Sequence, residues 1–322
     1  ARVAIVWSYV VNFIWKIVQE IDQKFAYPLN MTSSASIDLH TDPSLFQGLD
    51  VYAVAGNPIA HSKSPIIHHA FAELTHQDIQ YERVLAPLDD FAGTVHGMIA
   101  QGFRGANVTV PFKLEAYAMA NQLTERAQDA GAVNTLVFTP QGILGDNTDG
   151  VGLVRDITEN IGVSIKGKRV LLIGAGGASE GVLHPLLAAQ PELLIITNRT
   201  LDKAINMVKR VEARGEMLYV SIDAYAFDDL AGQQFDIVVN ATSAGLTDSQ
   251  LPLPASIFAP NALAYDMMYG RVTPFMAFAH QHGASVFDGL GMLIEQAAEA
   301  FYIWRGLRPD TAPVIEMFKH QQ

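Results

Sequence analysis

The chain has 322 residues, 49% of them apolar, only 17% charged, and none of them cysteine. Single cores stop growing at about 250–300 residues, so this length argues for two domains. A net charge of −12 excludes the basic face that nucleic-acid binding needs. The missing thiols exclude disulfides, thiolate metal sites and cysteine nucleophiles, and fit a reducing compartment.

Residues 3–18 are apolar and aromatic, but Ser8, Asn12 and Lys16 interrupt them. A spanning helix needs about 20 predominantly apolar residues, and the polar stretch 19–24 offers no small-residue cleavage site. The expectation is that residues 1–30 are not part of the working enzyme, with a true start at Met31; a membrane anchor is the alternative.

From Leu49 on, strands and helices alternate, the pattern of an α/β fold. Residues 51–55 predict a strand ended by Gly56-Asn57-Pro58, and Pro65 suits the first turn of a helix over 65–74. Residues 81–85 and 106–110 predict strands, the second stopped by Pro111. Residues 133–138 and 143–144 flank Pro140-Gln141-Gly142 as a hairpin, and a helix follows over 150–161. The texture then changes. Residues 169–173 form a short continuous apolar run, as in a parallel strand buried on both faces. Residues 193–197, 218–222, 236–240 and 263–266 repeat it. A helix over 290–304 is expected to return to the first domain. The expected organisation is therefore 49–150 plus 286–322, then 151–285, with 1–48 outside both.

Immediately after the 169–173 strand comes Gly174-Ala175-Gly176-Gly177-Ala178-Ser179, leading into a helix. In that setting the first glycine permits a tight turn, the second lets backbone approach a pyrophosphate, and the helix N-terminus supplies N–H donors. Ser179 stands where the fingerprint carries Gly or Ala, which predicts looser helix–strand packing. An NAD site presents an acid to the ribose 2′-hydroxyl at the end of the second strand. Here that strand ends in Asn198-Arg199-Thr200, with Lys203 one turn later and only Asp202 opposing. Arg offers forked donors to phosphate oxygens, so these residues predict NADP.

Three strings in the first half are polar at strand ends. In residues 57–65, Ser62 and Ser64 precede a helix and suit a carboxylate, although ordinary capping by Ser64 explains them equally. In residues 107–113, Thr109 and Lys113 flank a strand end; a cleft lysine can move a proton, and a solvated surface lysine is the plainer alternative. The third pairs residues 131–135, containing Asn134, with Asp146-Asn147-Thr148-Asp149-Gly150, which also reads as a turn. It lacks the further ligands of a calcium loop, so no metal is expected. His61, His68 and His69 are expected on helix or loop surfaces.

These strings, in this order, resemble the shikimate dehydrogenase family over roughly residues 51–314, together with Asn240-Ala241-Thr242 and Asp288-Gly289-Leu290-Gly291-Met292-Leu293 with Gln296. The resemblance implies an N-terminal α/β substrate domain and a Rossmann-like NADP-binding domain separated by a cleft. It implies reversible NADP(H)-linked reduction of 3-dehydroshikimate to shikimate in aromatic amino acid biosynthesis, by a cytoplasmic monomer or homodimer without membrane or nucleic-acid partners. By the same resemblance, Ser62 and Ser64 hold the substrate carboxylate with Tyr269, and Thr109, Asn134, Asp149 and Gln296 bind ring hydroxyls. Lys113 is the catalytic acid/base, and Asp149 orients it. Gly174, Ala175, Gly176, Gly177 and Ala178 hold the pyrophosphate, while Asn198, Arg199, Thr200 and Lys203 hold the adenosine phosphate. Met267 and Gly289 line the nicotinamide site, and Glu125 lies near the cofactor. Lys203 departs from the arginine many members carry, keeping the charge but losing the planar fork. A quinate/shikimate enzyme with relaxed cofactor use is the nearest alternative, and a non-catalytic ligand sensor the more distant one.

Overall fold

The computed structural model describes residues 48–215, 220–244 and 250–319. The expectation for residues 1–30 lies outside them. The described chain divides into two compact units: 48–127, 132–148 and 297–319 form the first, and 128–131 with 149–296 the second, apart from the undescribed stretches. Residues 286–296 thus group with the second unit, and the division falls inside the last long helix.

In the first unit, in chain order, come β1 (Asp50–Gly56), α1 (Ser64–Thr75), β2 (Ile79–Leu85), α2 (Phe91–Ala100), β3 (Gly105–Val108), α3 (Lys113–Met119) and β4 (Gln122–Leu123). After α4 (Glu125–Ala130) follow β5 (Thr135–Thr139) and β6 (Gly142–Asp146). The strands form one mixed sheet in the order β2-β1-β3-β5-β6-β4, with β5 and β6 the expected antiparallel hairpin. The pleat sends Val51, Ala53 and Ala55 of β1 into a core with Val84, Phe91, Val108 and Phe112, where the last aromatic stacks on Phe91 at 4.7 Å. On the opposite face Tyr52 stacks on Trp304 at 4.5 Å, beside His68, Phe71, Tyr81 and Phe301. His68 therefore corrects the surface expectation, being 0% exposed and stacked on Tyr81 at 4.1 Å. One apolar face of α1 turns it inward. The strand expected to reach residue 110 ends at Val108.

The second unit opens with α5 (Asp149–Arg155), which widens into a π turn (Asp156–Asn160) rather than running on to 161 as an α-helix. Then come β7 (Arg169–Ile173), α6 (Gly177–Ala188), β8 (Leu193–Thr197), α7 (Leu201–Ala213) and β9 (Ser221–Tyr225). The strand expected over 218–222 thus starts later, and residues 216–219 lie outside the described ones. β10 (Phe235–Asn240), β11 (Phe258–Asp266), α8 (Pro274–Gln281) and β12 (Ser285–Phe287) lead to α9 (Leu290–Arg305); α10 (Ala312–Lys319) closes the described chain in the first unit. The six strands are parallel in the order β12-β11-β10-β7-β8-β9, the doubly wound dinucleotide-binding arrangement, in which strand order reverses between β7 and β10. Val170 and Leu172 face one core with Leu183, Ile196 and Val239, while Leu171 and Ile173 face the other with Ile195, Phe258 and Phe275. Burial on both faces is why β7 reads as an unbroken apolar run.

Candidate active site

The first unit gathers its polar strings at one end of its sheet. β1 and β3 are parallel neighbours, and β5 begins where β6 ends, at the paired Thr135 and Asp146. The loops after β1 and β3 are joined by Asn57 N–H donating to the Val110 carbonyl at 3.1 Å. Ser62 Oγ donates to Ser64 Oγ at 3.2 Å and accepts from Ser64 N–H at 3.3 Å. Arg83 fixes the backbone beneath this pair, its Nε and Nη2 donating to the Ser62 carbonyl at 3.0 and 2.6 Å. Capping by Ser64, the alternative to carboxylate binding, is not seen, since α1 has no side-chain cap. Thr109 and Lys113 are half-buried, and the Lys113 carbonyl accepts from Val133 N–H at 3.0 Å, which places α3 beside Asn134.

Asn134 is buried and tied to the Asp-Asn-Thr-Asp string. Its Oδ1 accepts from Thr148 N–H at 2.9 Å and from Thr135 Oγ1 at 2.9 Å, and its Nδ2 donates to Thr148 Oγ1 at 3.0 Å. Asp146 receives a forked pair from Arg126 (3.1 and 2.7 Å) together with Thr124 Oγ1 at 2.6 Å, and Asn147 Nδ2 donates to the Ala132 carbonyl at 3.1 Å. Three of the four polar residues in that string thus build the turn, and the fourth, Asp149, opens α5. Asn107, which accepts from Tyr81 Oη at 2.7 Å and donates to the Asn134 carbonyl at 3.2 Å, completes the buried network. Glu125 is exposed at the start of α4.

In the second unit the glycine-rich loop leaves β7 at the point where strand order reverses, the place where such sheets bind ligands. Gly174 has φ +118°, and its N–H donates to the Thr197 carbonyl at 2.7 Å. A Cβ there would stand 2.9 Å from Ser179 Oγ and 3.2 Å from the Ala241 carbonyl, so only glycine fits. Ser179 is 0% exposed and packed beneath the loop, so helix–strand packing is not loosened as expected. Around Gly176 and Gly177 the space is open, and α6 begins at Gly177 with no side chain capping it. Its first N–H groups thus lack a side-chain acceptor and border open space, an arrangement that suits an anion. The adjacent strand, paired through Ile173 and Thr197, is followed by Asn198, whose Nδ2 donates to the Thr200 carbonyl at 2.9 Å. Ala175 is half-buried and Ala178 exposed along the loop, while Arg199, Thr200 and Lys203 are exposed around the N-terminus of α7.

The same sheet end carries Met267 and Tyr269 on a loop anchored by Asp266. That buried carboxylate accepts from Asn240 Nδ2 at 3.1 Å, Met268 N–H at 3.0 Å and Thr273 Oγ1 at 2.5 Å. Gly289 N–H donates to the Met268 carbonyl at 2.9 Å, and a Cβ on Gly289 would run into the Met267 backbone. Burial pushes the Tyr269 hydroxyl up from its usual range. Asp149 and Gln296 stand on α5 and α9, which meet where Gly152 approaches Gln296.

Three family models match in chain order: the shikimate dehydrogenase substrate binding domain over residues 54–136, shikimate / quinate 5-dehydrogenase over 156–247, and the shikimate 5'-dehydrogenase C-terminal domain over 289–316. A shikimate dehydrogenase (NADP(+)) of Methylobacillus flagellatus is 62% identical over 268 residues, 83% of this chain and 98% of that one. The chain belongs to the shikimate dehydrogenase family. Among solved structures, an Ael1 enzyme from Pseudomonas putida is 47% identical with a TM-score of 0.79, covering 83% of this chain and 97% of that one. Shikimate 5-dehydrogenase from Thermus thermophilus, in complex with NADP(H) and shikimate, is 32% identical with a TM-score of 0.75, covering 85% and 100%. The mixed-sheet unit and the parallel doubly wound unit are thus the two α/β domains of a shikimate dehydrogenase.

The polar strings themselves carry no mark of the groups that hold them in place: Arg83, Arg126, Tyr81 and Asp266. Arg126 was the most findable, since a buried Asp146 in an acidic turn calls for a cationic partner.

Proposed function

We propose that this chain catalyses the reversible NADPH-dependent reduction of 3-dehydroshikimate to shikimate in aromatic amino acid biosynthesis. The observation that carries this reading is its 62% identity across 98% of a relative named shikimate dehydrogenase (NADP(+)). The residues present fit the cofactor: open backbone at Gly176 and Gly177, an uncapped helix N-terminus behind it, and Arg199 with Lys203 beside a strand tip without an acid. Bound NADPH supplies a hydride to the substrate carbonyl carbon.

The chain's own residues do the rest. Ser62 and Ser64, with Tyr269, hold the carboxylate. Thr109, Asn134, Asp149 and Gln296 bind the ring hydroxyls. Lys113, as ammonium, stabilises charge growing on the carbonyl oxygen and gives it a proton; as neutral amine it takes the proton back in the reverse direction. Asp149 orients the reacting groups. Gly174, Ala175, Gly176, Gly177 and Ala178 cradle the pyrophosphate, and Asn198, Arg199, Thr200 and Lys203 take the adenosine phosphate. Met267 and Gly289 flank the nicotinamide, and Glu125 lies near the cofactor. In this reading the first unit binds substrate and the second NADP, in a cytoplasmic monomer or homodimer; light scattering of the purified chain decides the last point.

Quinate is the second reading, because the model matching residues 156–247 is described as shikimate / quinate 5-dehydrogenase. The purified chain is expected to consume NADPH when given 3-dehydroshikimate. No turnover at any substrate concentration would leave a ligand sensor as the better account.

A further inference from the structure

Asp156 is a buried carboxylate, 5% exposed, which no step above uses. It directly follows α5 and opens the π turn. Its Oδ2 accepts from Tyr265 Oη at 2.6 Å and its Oδ1 from Asn160 Nδ2 at 3.0 Å. Tyr265 Oη in turn accepts from Met292 N–H at 3.2 Å, one of the first-turn amides of α9 that have no partner within their own helix. The Asp156 carboxylate lies directly on the α-carbon of Gly291, where a Cβ would collide with it. One turn earlier on α5, a Cβ on Gly152 would stand 2.8 Å from the Gln296 Cβ and N and 2.8 Å from the Met292 carbonyl. Asn160 Nδ2 also donates to Glu295 Oε1 at 3.1 Å, and Arg155 Nε donates to Glu295 Oε2 at 3.1 Å.

Asp149, Gly152 and Asp156 stand at helical spacing along α5 and the π turn that continues it, and the last two share the face that meets α9. Contacts at two levels, Gly152 with Gln296 and Asp156 with Gly291, fix both the separation of the two helices and their register. Burial pushes the Asp156 carboxyl up, with Glu295 and Asp288 adding to it and Tyr265 and Asn160 opposing. The carboxylate stands at a π turn, a helix irregularity that is frequent at functional positions.

We propose that Asp156 is a positioning residue for the reaction: with Tyr265 and Gly291 it clamps the start of α9 against α5 and so sets the distance between Asp149 and Gln296. This rests on the reading that Asp149 and Gln296 bind ring hydroxyls of the substrate. A shift of about 1 Å in such a pair costs up to ~100-fold.

The test compares Gly291→Ala, Asp156→Ala, their double variant, Tyr265→Phe and Gln296→Ala, each read for KM of shikimate, KM of NADP, kcat and melting temperature. Gly291→Ala and Tyr265→Phe are expected to raise the shikimate KM by about tenfold while the NADP KM moves less than about twofold. Asp156→Ala makes room for the added methyl, so Gly291→Ala should do less on that background than alone. Should Gly291→Ala fail to fold, Tyr265→Phe carries the test, since it removes one hydroxyl and adds no volume. If Gln296→Ala raises the shikimate KM while Tyr265→Phe lowers only the melting temperature, the clamp is a structural rivet and the proposal is overturned. A silent Gln296→Ala overturns the reading of Gln296 itself, and this inference with it.

Discussion

Lys113 begins α3, its carbonyl accepts from Val133 N–H, and its ammonium is the group proposed to move the proton. Lys113→Ala is expected to lower kcat by at least ~100-fold with a smaller change in KM, measured at saturating NADP. A large rise in KM at unchanged kcat would make it a binding residue instead. At Arg199 the expected loss is selective: Arg199→Ala should raise the NADP KM about tenfold or more and leave the NAD KM unmoved, because only NADP carries the 2′-phosphate. His68 belongs to stability, not catalysis. Its ring is fully buried and stacked on Tyr81; burial, with the neighbouring His69 adding, lowers its pKa from 6.5 to about 3, while the Asn107 side chain acts to raise it. The unfolded chain therefore takes up a proton that the folded chain refuses. Stability present above pH 6.5 is lost as pH falls toward 3, by up to ~1.4 kcal/mol per pH unit from this group. Urea midpoints at pH 7 and pH 5 should differ less in His68→Phe than in the parent chain. Equal differences would remove His68 as the cause.

Among the elements, the glycine-rich turn separates two demands that its sequence merges. Gly174 is needed for backbone geometry, at φ +118° with Ser179 and Ala241 close by, whereas Gly176 and Gly177 border open space. Gly177→Val is accordingly expected to keep the melting temperature within a few degrees and raise the NADP KM by about tenfold or more, by filling room the phosphate needs. Gly174→Val should instead unfold or strongly destabilise the chain. The sequence made this turn legible because a buried strand, glycines and a helix follow one another in a fixed order. It concealed the π turn at Asp156–Asn160, because a one-turn widening leaves no periodic trace in the residue pattern. The inward turn of His68 was equally hidden, since a histidine on an otherwise apolar helix face carries no mark of which rings will stack on it.

At the scale of the whole molecule, alternation of strands and helices made both α/β units readable, and the continuous apolar runs named the parallel sheet. The grouping of stretches was legible in part: residues 297–319 return to the first unit as the helix pattern suggested, but the exact division was not. Residues 128–131 and 286–296 join the second unit through contacts far apart in the chain. The polar strings around Ser62, Lys113, Asn134 and Asp149 were visible as strings. Their supports, such as the Arg126 fork on Asp146 and the Asn240–Asp266 pair, span 20 and 26 residues and emerge only in three dimensions. NADP-linked oxidation of shikimate is checked by steady-state rates of the purified chain with shikimate and quinate, each with NADP and NAD. The predicted result is fast NADP reduction with shikimate, with kcat/KM at least ~10-fold lower for NAD and for quinate. Equal or better turnover with NAD, or with quinate, would contradict it.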